Sequence, residues 1–339
     1  MKVAKYYSHQ DIRIEEVPIP KIGPGEILVQ VKACGLCGSD LMEWYVEKKA
    51  PTVLGHEPAG VVAEVGTEVT EFAVGDRVFV HHHVPCFTCH YCTRGFYTCC
   101  ETFKATYLDP GGFAEYLRVP ALNVKRDVLK LPPEMTFEQA TQIEPLATCI
   151  RGIERAGIQP GDTVVVVGAG VTGLMQLQLA RIYGAGQIFV TDFVPFRLEM
   201  ARLLGADHVI DAGEDVLATI KALNEGRGAD VVIVTAGSIK AMEYGLTLAD
   251  GGATVLLFGV SAPDETLPVS PYHLLFSEIT LVGTYSCSHV ETRQALKLIK
   301  GGRIEVQSLI THRFNLAGVD RAIHLAAEHG ESMKILITP

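Results

Sequence analysis

Hydrophobic positions along this chain keep two different rhythms. Through residues 3–17, and again at Ile27, Val29 and Val31, apolar residues alternate with polar ones, broken by Pro18, Pro20 and the turn Gly23-Pro24-Gly25. Such period-two alternation, punctuated by turn residues, predicts short antiparallel strands with one face on a core. The pattern continues through 61–65, 75–80 and 111–116, and Leu131-Pro132-Pro133 closes the β-rich part. A helix is expected from Glu144-Pro145, with the proline in its first turn, to about residue 156. Beyond the turn Gln159-Pro160-Gly161-Asp162 the rhythm changes: valines fill 164–167 without a polar break, the signature of a strand buried on both faces. Alternating elements follow, with helices expected at 171–183, 196–204 and 216–224 and strands at 187–191, 208–210, 229–235, 254–259 and 279–283. This alternation predicts an α/β domain with a doubly wound parallel sheet and a ligand at the C-terminal strand ends. A helix at 292–300, a strand at Ile310 and a final strand at 334–338 are expected to return to the β-rich domain. The expected organisation is therefore 1–148 and 286–339 around an inserted 149–285.

The valine strand runs straight into Gly168, Gly170 and Gly173, spaced G-x-G-x-x-G. The first glycine permits a tight turn, the second lets backbone approach a pyrophosphate, and the third lets the helix pack closely on the strand. The helix N-terminus at Val171 and Thr172 then offers free N–H groups and a positive dipole end to phosphate. Glycines also collect in ordinary turns, so the motif counts only because strand, helix and second strand surround it. Asp192 ends that second strand, where a carboxylate would bind ribose hydroxyls and repel a 2′-phosphate, which favours NAD over NADP. Arg197 in the next helix, and Gly237 and Val260 after later strands, are further candidates to touch the dinucleotide.

With 339 residues, 48% of them hydrophobic and 20% charged, the chain has room for about two well-packed domains. A formal charge of -10 disfavours nucleic-acid and anionic-membrane partners, which need a basic face. The N-terminal residues open directly into strand-like alternation, and no long apolar run suggests a signal peptide or membrane span, so the cytoplasm is the expected location. In that setting the nine cysteines suggest metal ligands and buried thiols more than disulfides.

Cys86, Cys89, Cys92 and Cys100 are spaced C-x2-C-x2-C-x7-C, a set able to close a tetrahedral structural zinc site over a lobe at about 85–101. Bacterial ferredoxins also begin C-x2-C-x2-C, but their fourth cysteine follows after three residues and precedes a proline, which this run lacks. Cys99 adjoins Cys100 and could exchange roles with it. Cys37, in Cys37-Gly38-Ser39-Asp40, and His56, in Gly55-His56-Glu57, are metal-ligand types on separate loops; taken alone, each reads equally well as a buried thiol and a core histidine. His81, His82 and His83 tempt a metal reading as well. On a strand at most two could face one site, and a loop with one histidine facing a cleft is the expectation. Glu144 would sit at a helix start, where an acid is usually a cap.

Taken in order, these motifs, with Gly111-Gly112-Phe113-Ala114-Glu115-Tyr116 between them, resemble the zinc-dependent medium-chain dehydrogenase/reductase family over essentially the whole length. The resemblance is to the branch with sorbitol, threonine and galactitol-phosphate dehydrogenases, and it implies a GroES-like catalytic domain joined to a Rossmann domain. It implies catalytic zinc on Cys37, His56 and Glu144, with Glu57 bound directly or alternating with water, and structural zinc on the four-cysteine lobe. It further implies hydride transfer between NAD and a secondary alcohol such as a polyol or sugar derivative, with Ser39 taking the hydroxyl proton. Many relatives carry a relay histidine where this chain has Met42, so another route must complete proton exit. Ser286-Cys287 replaces the Arg-Tyr pair of sorbitol dehydrogenases, while His83 matches a histidine of threonine dehydrogenases, making an amino alcohol the second substrate class. A non-catalytic scaffold that holds dinucleotide and zinc is the alternative of a different kind. By analogy the apolar strand at 280–284 is an edge that would pair with its copy in a homodimer or homotetramer.

Overall fold

The computed structural model describes residues 1–328 and 330–339. Two compact units emerge, one made of residues 1–147 and 287–339 and the other of residues 148–286.

The first unit is built on a seven-stranded sheet in the order Ile310–Phe314, Lys334–Ile337, Ile27–Gly35, Glu57–Val65, Arg77–Val80 and Val128–Lys130, with Tyr116–Val119 also paired to Ile27–Gly35. The pairings are antiparallel except where Ile310–Phe314 meets Lys334–Ile337. A small sheet of Lys2–Ser8, Asp11–Glu16 and Thr52–Val53 completes the strands of this unit. Alternation along these strands turns Ile27, Val29, Val31, Val62, Val78 and Val80 into one apolar core with Phe113 and Leu117. Residues from the C-terminal strand, Ile335 and Ile337, join the same cluster, so the chain end is part of the core.

The second unit is a six-stranded parallel sheet in the order His208–Asp211, Gln187–Asp192, Thr163–Val167, Ala229–Val234, Ala249–Leu257 and Thr280–Gly283. Numbered within the unit this is 3-2-1-4-5-6, the Rossmann order, with the direction of winding reversing at Thr163–Val167. All five residues of that strand are buried, as an unbroken valine run requires. Helices Val171–Ile182, Pro195–Leu203, Val216–Leu223 and Ile239–Leu248 alternate with the strands.

Several expected bounds shift. The strand expected at 61–65 begins at Glu57, four residues earlier than its alternation suggests, because Pro58, Ala59 and Gly60 pair with Cys34, Ala33 and Val31. The strand expected from Gly111 is Tyr116–Val119, preceded by a glycine turn. Helices Ala121–Asp127, Ile239–Leu248 and Val319–Ala327 are additions to the expected elements. Among the described residues no helix is long and apolar enough to cross a membrane.

Candidate functional site

Cys37 follows the strand Ile27–Gly35 and caps the 3-10 turn Gly38–Leu41, which carries Ser39 half-buried and Asp40 buried. Asp40 ties the loop together. Its Oδ2 accepts the Cys37 N–H at 3.0 Å, and its Oδ1 lies 3.5 Å from His56 Nδ1. A carboxylate on one imidazole nitrogen sets the ring's orientation and leaves Nε2 as the free donor. His56 stands directly after Gly55, whose φ of +90° and crowding explain the glycine: a Cβ there would lie 2.6 Å from the Phe113 ring. Burial alone would lower the His56 pKa, but Asp40 and Cys37 outweigh it and hold it well above the ordinary histidine value.

Glu57 is fully buried and points back at the same loop. Gly35 makes its room, because a Cβ at that position would come within 1.7 Å of Glu57 Oε2. Lys334 supplies its counter-charge, with Nζ 2.7 Å from Oε1 and 2.6 Å from Oε2, and also donates to the Leu36 carbonyl at 3.2 Å. Burial would lower the lysine, yet the Glu57 carboxylate holds its pKa above the ordinary value. Cys37, His56 and Glu57 present one ligand atom each within 4.8 Å of one another. A thiolate, an imidazole and a carboxylate at that spacing suit an open zinc position.

Glu144, in the first turn of the helix Ile143–Ala156, falls into a different group, with His81 and His82, again within 4.8 Å. It is buried, and loss of hydration raises its pKa. The rings of His56 and His82 lie 4.9 Å apart, so the two groups are neighbours. The three consecutive histidines thus divide their work. His81 and His82 face the Glu144 cluster, while His83 is buried between Phe103 and Tyr107 with Nδ1 2.6 Å from the Thr106 carbonyl.

The four lobe cysteines meet in space, their sulfurs within 4.8 Å of one another; Cys86 and Cys92 are 3.9 Å apart, Cys89 and Cys92 3.5 Å. A tetrahedron of sulfurs around zinc has edges of about 3.8 Å at its usual bond length, so the set fits a closed site. Cys100 is buried within this group and Cys99 is exposed. Hydrogen bonds from the Thr88 backbone and hydroxyl bring Cys86 down to about 6, making a thiolate available. Cys92, pushed up to about 12 by burial, needs a metal's charge to ionise.

In the second unit the glycine turn does what its spacing implies. Gly168 has a φ of +98°, and a Cβ on Gly173 would lie 1.9 Å from the Gly168 carbonyl oxygen. At Gly170 nothing lies within 4 Å of the place a Cβ would take, leaving the helix N-terminus at Val171 and Thr172 open to a phosphate-sized group. Asp192 Oδ2 accepts from Ala169 N at 2.7 Å and Oδ1 from Val194 N at 2.9 Å. Its remaining lone pairs suit ribose hydroxyls. Arg197 lies 4.0 Å away, close enough to steady the carboxylate. Gly237 packs its backbone on Val260, where a Cβ would be 2.6 Å from the carbonyl oxygen, and Val260 itself is half exposed. These residues form a cradle that fits a dinucleotide.

Lys334 and Asp127 are site residues that no motif in the sequence marks, and Asp40, though it closes the motif Cys37-Gly38-Ser39-Asp40, is given no role by it. A signal for Lys334 is nonetheless present: a lysine heading an otherwise apolar strand needs a buried anion. Nothing in the spacing points to Asp127.

The model of the alcohol dehydrogenase GroES-like domain matches residues 23–133, and that of the zinc-binding dehydrogenase domain residues 170–301. A sorbitol dehydrogenase of Bacillus subtilis is 34% identical, covering 100% of this chain and 97% of its own. An L-threonine 3-dehydrogenase of Pyrococcus horikoshii is 35% identical over 88% of this chain and 87% of its own. The crystal structure of galactitol-1-phosphate dehydrogenase from Escherichia coli superposes with a TM-score of 0.88 at 28% identity, covering 100% of both chains.

Proposed function

Since the chain belongs to the zinc-dependent medium-chain dehydrogenase/reductase family, we propose that it is an NAD-dependent zinc enzyme oxidising a secondary alcohol, with a polyol or sugar derivative as substrate. The observation that carries this reading is the coexistence of a closed four-cysteine group and an incomplete Cys37–His56–Glu57 group. A closed group stabilises a lobe; an open one leaves a position for substrate.

Cys37, His56 and a carboxylate from Glu57 or Glu144 hold the catalytic zinc, and Cys86, Cys89, Cys92 and Cys100 hold the structural one. With zinc bound there, the site would supply Lewis acidity to an alcohol oxygen, and NAD held in the second unit would supply the hydride acceptor. The chain's own residues do the rest. Asp40 keeps His56 oriented, and Lys334 pairs with Glu57 inside the core. Ser39, on the turn beside Cys37, takes the hydroxyl proton, and because Met42 cannot relay it a water chain or the cofactor's ribose hydroxyl completes the exit. Gly170 and the first turn at Val171 and Thr172 receive the pyrophosphate, and Asp192 binds the adenosine ribose, with Arg197, Gly237 and Val260 lining its place. Residues 1–148 and 286–339 act as the catalytic domain and 149–285 as the NAD domain, in a cytoplasmic homodimer or homotetramer.

Threonine or another amino alcohol is the second substrate reading, supported by the archaeal threonine dehydrogenase relative. The deciding experiment is NADH formation by the zinc-loaded protein across polyols, sugar acids, polyol phosphates, threonine and simple secondary alcohols. A clear preference for a polyol or sugar derivative is expected. Bound NAD without reduction by any of them, together with a single tightly held zinc, would replace the enzyme by a scaffold.

A further inference from the structure

The 3-10 turn Gly38–Leu41, which carries Ser39, runs on through two further single turns, Glu43–Val46 and Glu47–Lys49. The segment that supplies Cys37 and Ser39 therefore ends in a lysine. Lys49 is exposed, yet its ammonium has a defined place, with Nζ 4.0 Å from the centroid of the Tyr45 ring and 5.3 Å from that of Tyr107. A cation at those distances is attracted to both ring faces and keeps its charge. Tyr107 is also the outer end of a run of rings. His56 lies 4.9 Å from His82, His82 4.0 Å from His83, and His83 4.9 Å from Tyr107, which is 47% exposed. The run leads from a metal-ligand candidate to the surface and ends beside Lys49. The charge of Lys49 reaches inward along it: burial is the main cause of the lowered His82 and His83 pKa values, and Lys49 lowers both further. Lys49 has no ion pair among the described residues. The acids of its own segment, Glu43 and Glu47, are felt instead at Tyr6, where they add to the larger effect of burial in raising the pKa.

We propose that Lys49 determines specificity by binding an anionic end group, so that the preferred alcohol is a polyol carrying a carboxylate or a phosphate. In a chain of formal charge -10, an anionic substrate is repelled unless a cation stands where it enters. Lys49 supplies that cation on the same stretch of chain as Ser39, so one segment reads both the reacting hydroxyl and the charged end of the molecule. A lysine is a point charge with three donors, which suits carboxylate and phosphate alike. Tyr45 and Tyr107 place the ammonium before substrate arrives, which reduces the ordering that binding requires. The inference deepens the functional reading above and rests on it for the reaction, whereas binding of the anion needs no turnover.

The test compares sorbitol, gluconate and sorbitol phosphate, which share a six-carbon chain and differ in one end group. In NADH formation by the zinc-loaded protein, kcat/KM for one of the anions should exceed that for sorbitol about tenfold, the size of a charge-assisted hydrogen bond. Lys49→Gln should collapse that ratio toward one through the KM of the anion, and Lys49→Arg should keep most of it. Added salt should raise the wild-type KM for the anion and have little effect on that of Lys49→Gln. A preference for gluconate assigns a carboxylate, and one for sorbitol phosphate a phosphate. Trp44, the single tryptophan of the chain, lies 5.8 Å from the Tyr45 ring and reports binding without turnover. Its fluorescence in zinc-loaded protein free of NAD should respond to the preferred anion, with a Kd about tenfold higher in Lys49→Gln. A wild type that does not favour either anion over sorbitol, or a Lys49→Gln variant that keeps both the ratio and the Kd, would overturn the proposal. If none of the three is oxidised while the fluorescence still separates Lys49→Gln from the wild type, the reading of the reaction fails and the anion site stands.

Discussion

Glu57 and Lys334 show how one buried charge dictates another. A carboxylate inside a core is tolerated only with a partner, and the lysine is 4% exposed at its side chain while the glutamate is not exposed at all. Lys334→Met should therefore cost about 3–5 kcal/mol of stability in the metal-free protein, because it strands Glu57. If Glu57 can ligate metal, zinc bound at Cys37 and His56 supplies the missing charge, and the loss measured by thermal unfolding should shrink on zinc loading. An equal loss with and without zinc would make Glu57 a purely structural anion. His83 carries the opposite burden, a base with no anion beside it. Burial pushes its pKa from 6.5 down to about 3, so the folded state refuses a proton that the unfolded chain accepts. Its contribution is whole above 6.5 and is lost as pH falls from there toward about 3. Below the upper limit each pH unit should cost about 1.4 kcal/mol, a slope that His83→Phe removes. Parallel pH profiles of denaturant midpoints for the two proteins would contradict this. In the sequence His83 reads as a substrate clue, but its bond to Thr106 and its packing on Phe103 and Tyr107 belong to the core, and single residues reveal their partners only in three dimensions.

At the scale of elements, legibility followed repetition. The valine strand, the glycine turn and the helix after it carry strong period and turn signals, and the observed Thr163–Val167 and Val171–Ile182 lie within a residue of expectation. Helix Ile239–Leu248 is hidden because a glycine and a threonine dilute its pattern, although Ser238 caps it by accepting from Ala241 N at 3.2 Å. The metal-bearing loops are legible as cysteine and histidine spacings, whereas the separation of Glu144 from Cys37 depends on how a helix start lies against two strand ends. The lobe makes a prediction of its own. Its core is no more than Cys92, Cys100 and Phe103 with Cys86, Cys89 and Tyr97 around them, too little apolar surface to order a loop unaided. Cys100→Ser should remove one zinc per chain and open the segment between Cys86 and Cys100 to limited proteolysis, while the Cys37 metal stays. Unchanged zinc content would shift the fourth ligand to Cys99, which is exposed in the present fold.

The whole molecule shows what no local pattern states. The strand Lys334–Ile337 lies inside the seven-stranded sheet, so the last residues of the chain complete a core begun by the first. Two strand signals, at Ile310 and at 334–338, remain in the sequence after the βα units end, and both strands pair within the seven-stranded sheet. The six-stranded sheet closes on one side with Thr280–Gly283, which pairs with Ala249–Leu257 and with no other strand among the described residues. Leu281 packs into the core of its own unit, whereas Val282 is partly buried and lies outside that cluster. An apolar edge of this kind invites pairing with a copy of itself, and proteins that stay monomeric usually protect such edges with charge, proline or a bulge. None of those devices occurs in Thr280-Leu281-Val282-Gly283. Val282→Lys installs one without touching the core, so it should move the protein from dimer or tetramer toward monomer in sedimentation velocity, with its thermal unfolding otherwise little changed. A wild type that sediments as a monomer would remove the edge from any role in assembly. A Val282→Lys variant that remains fully associated would place the contact on another surface.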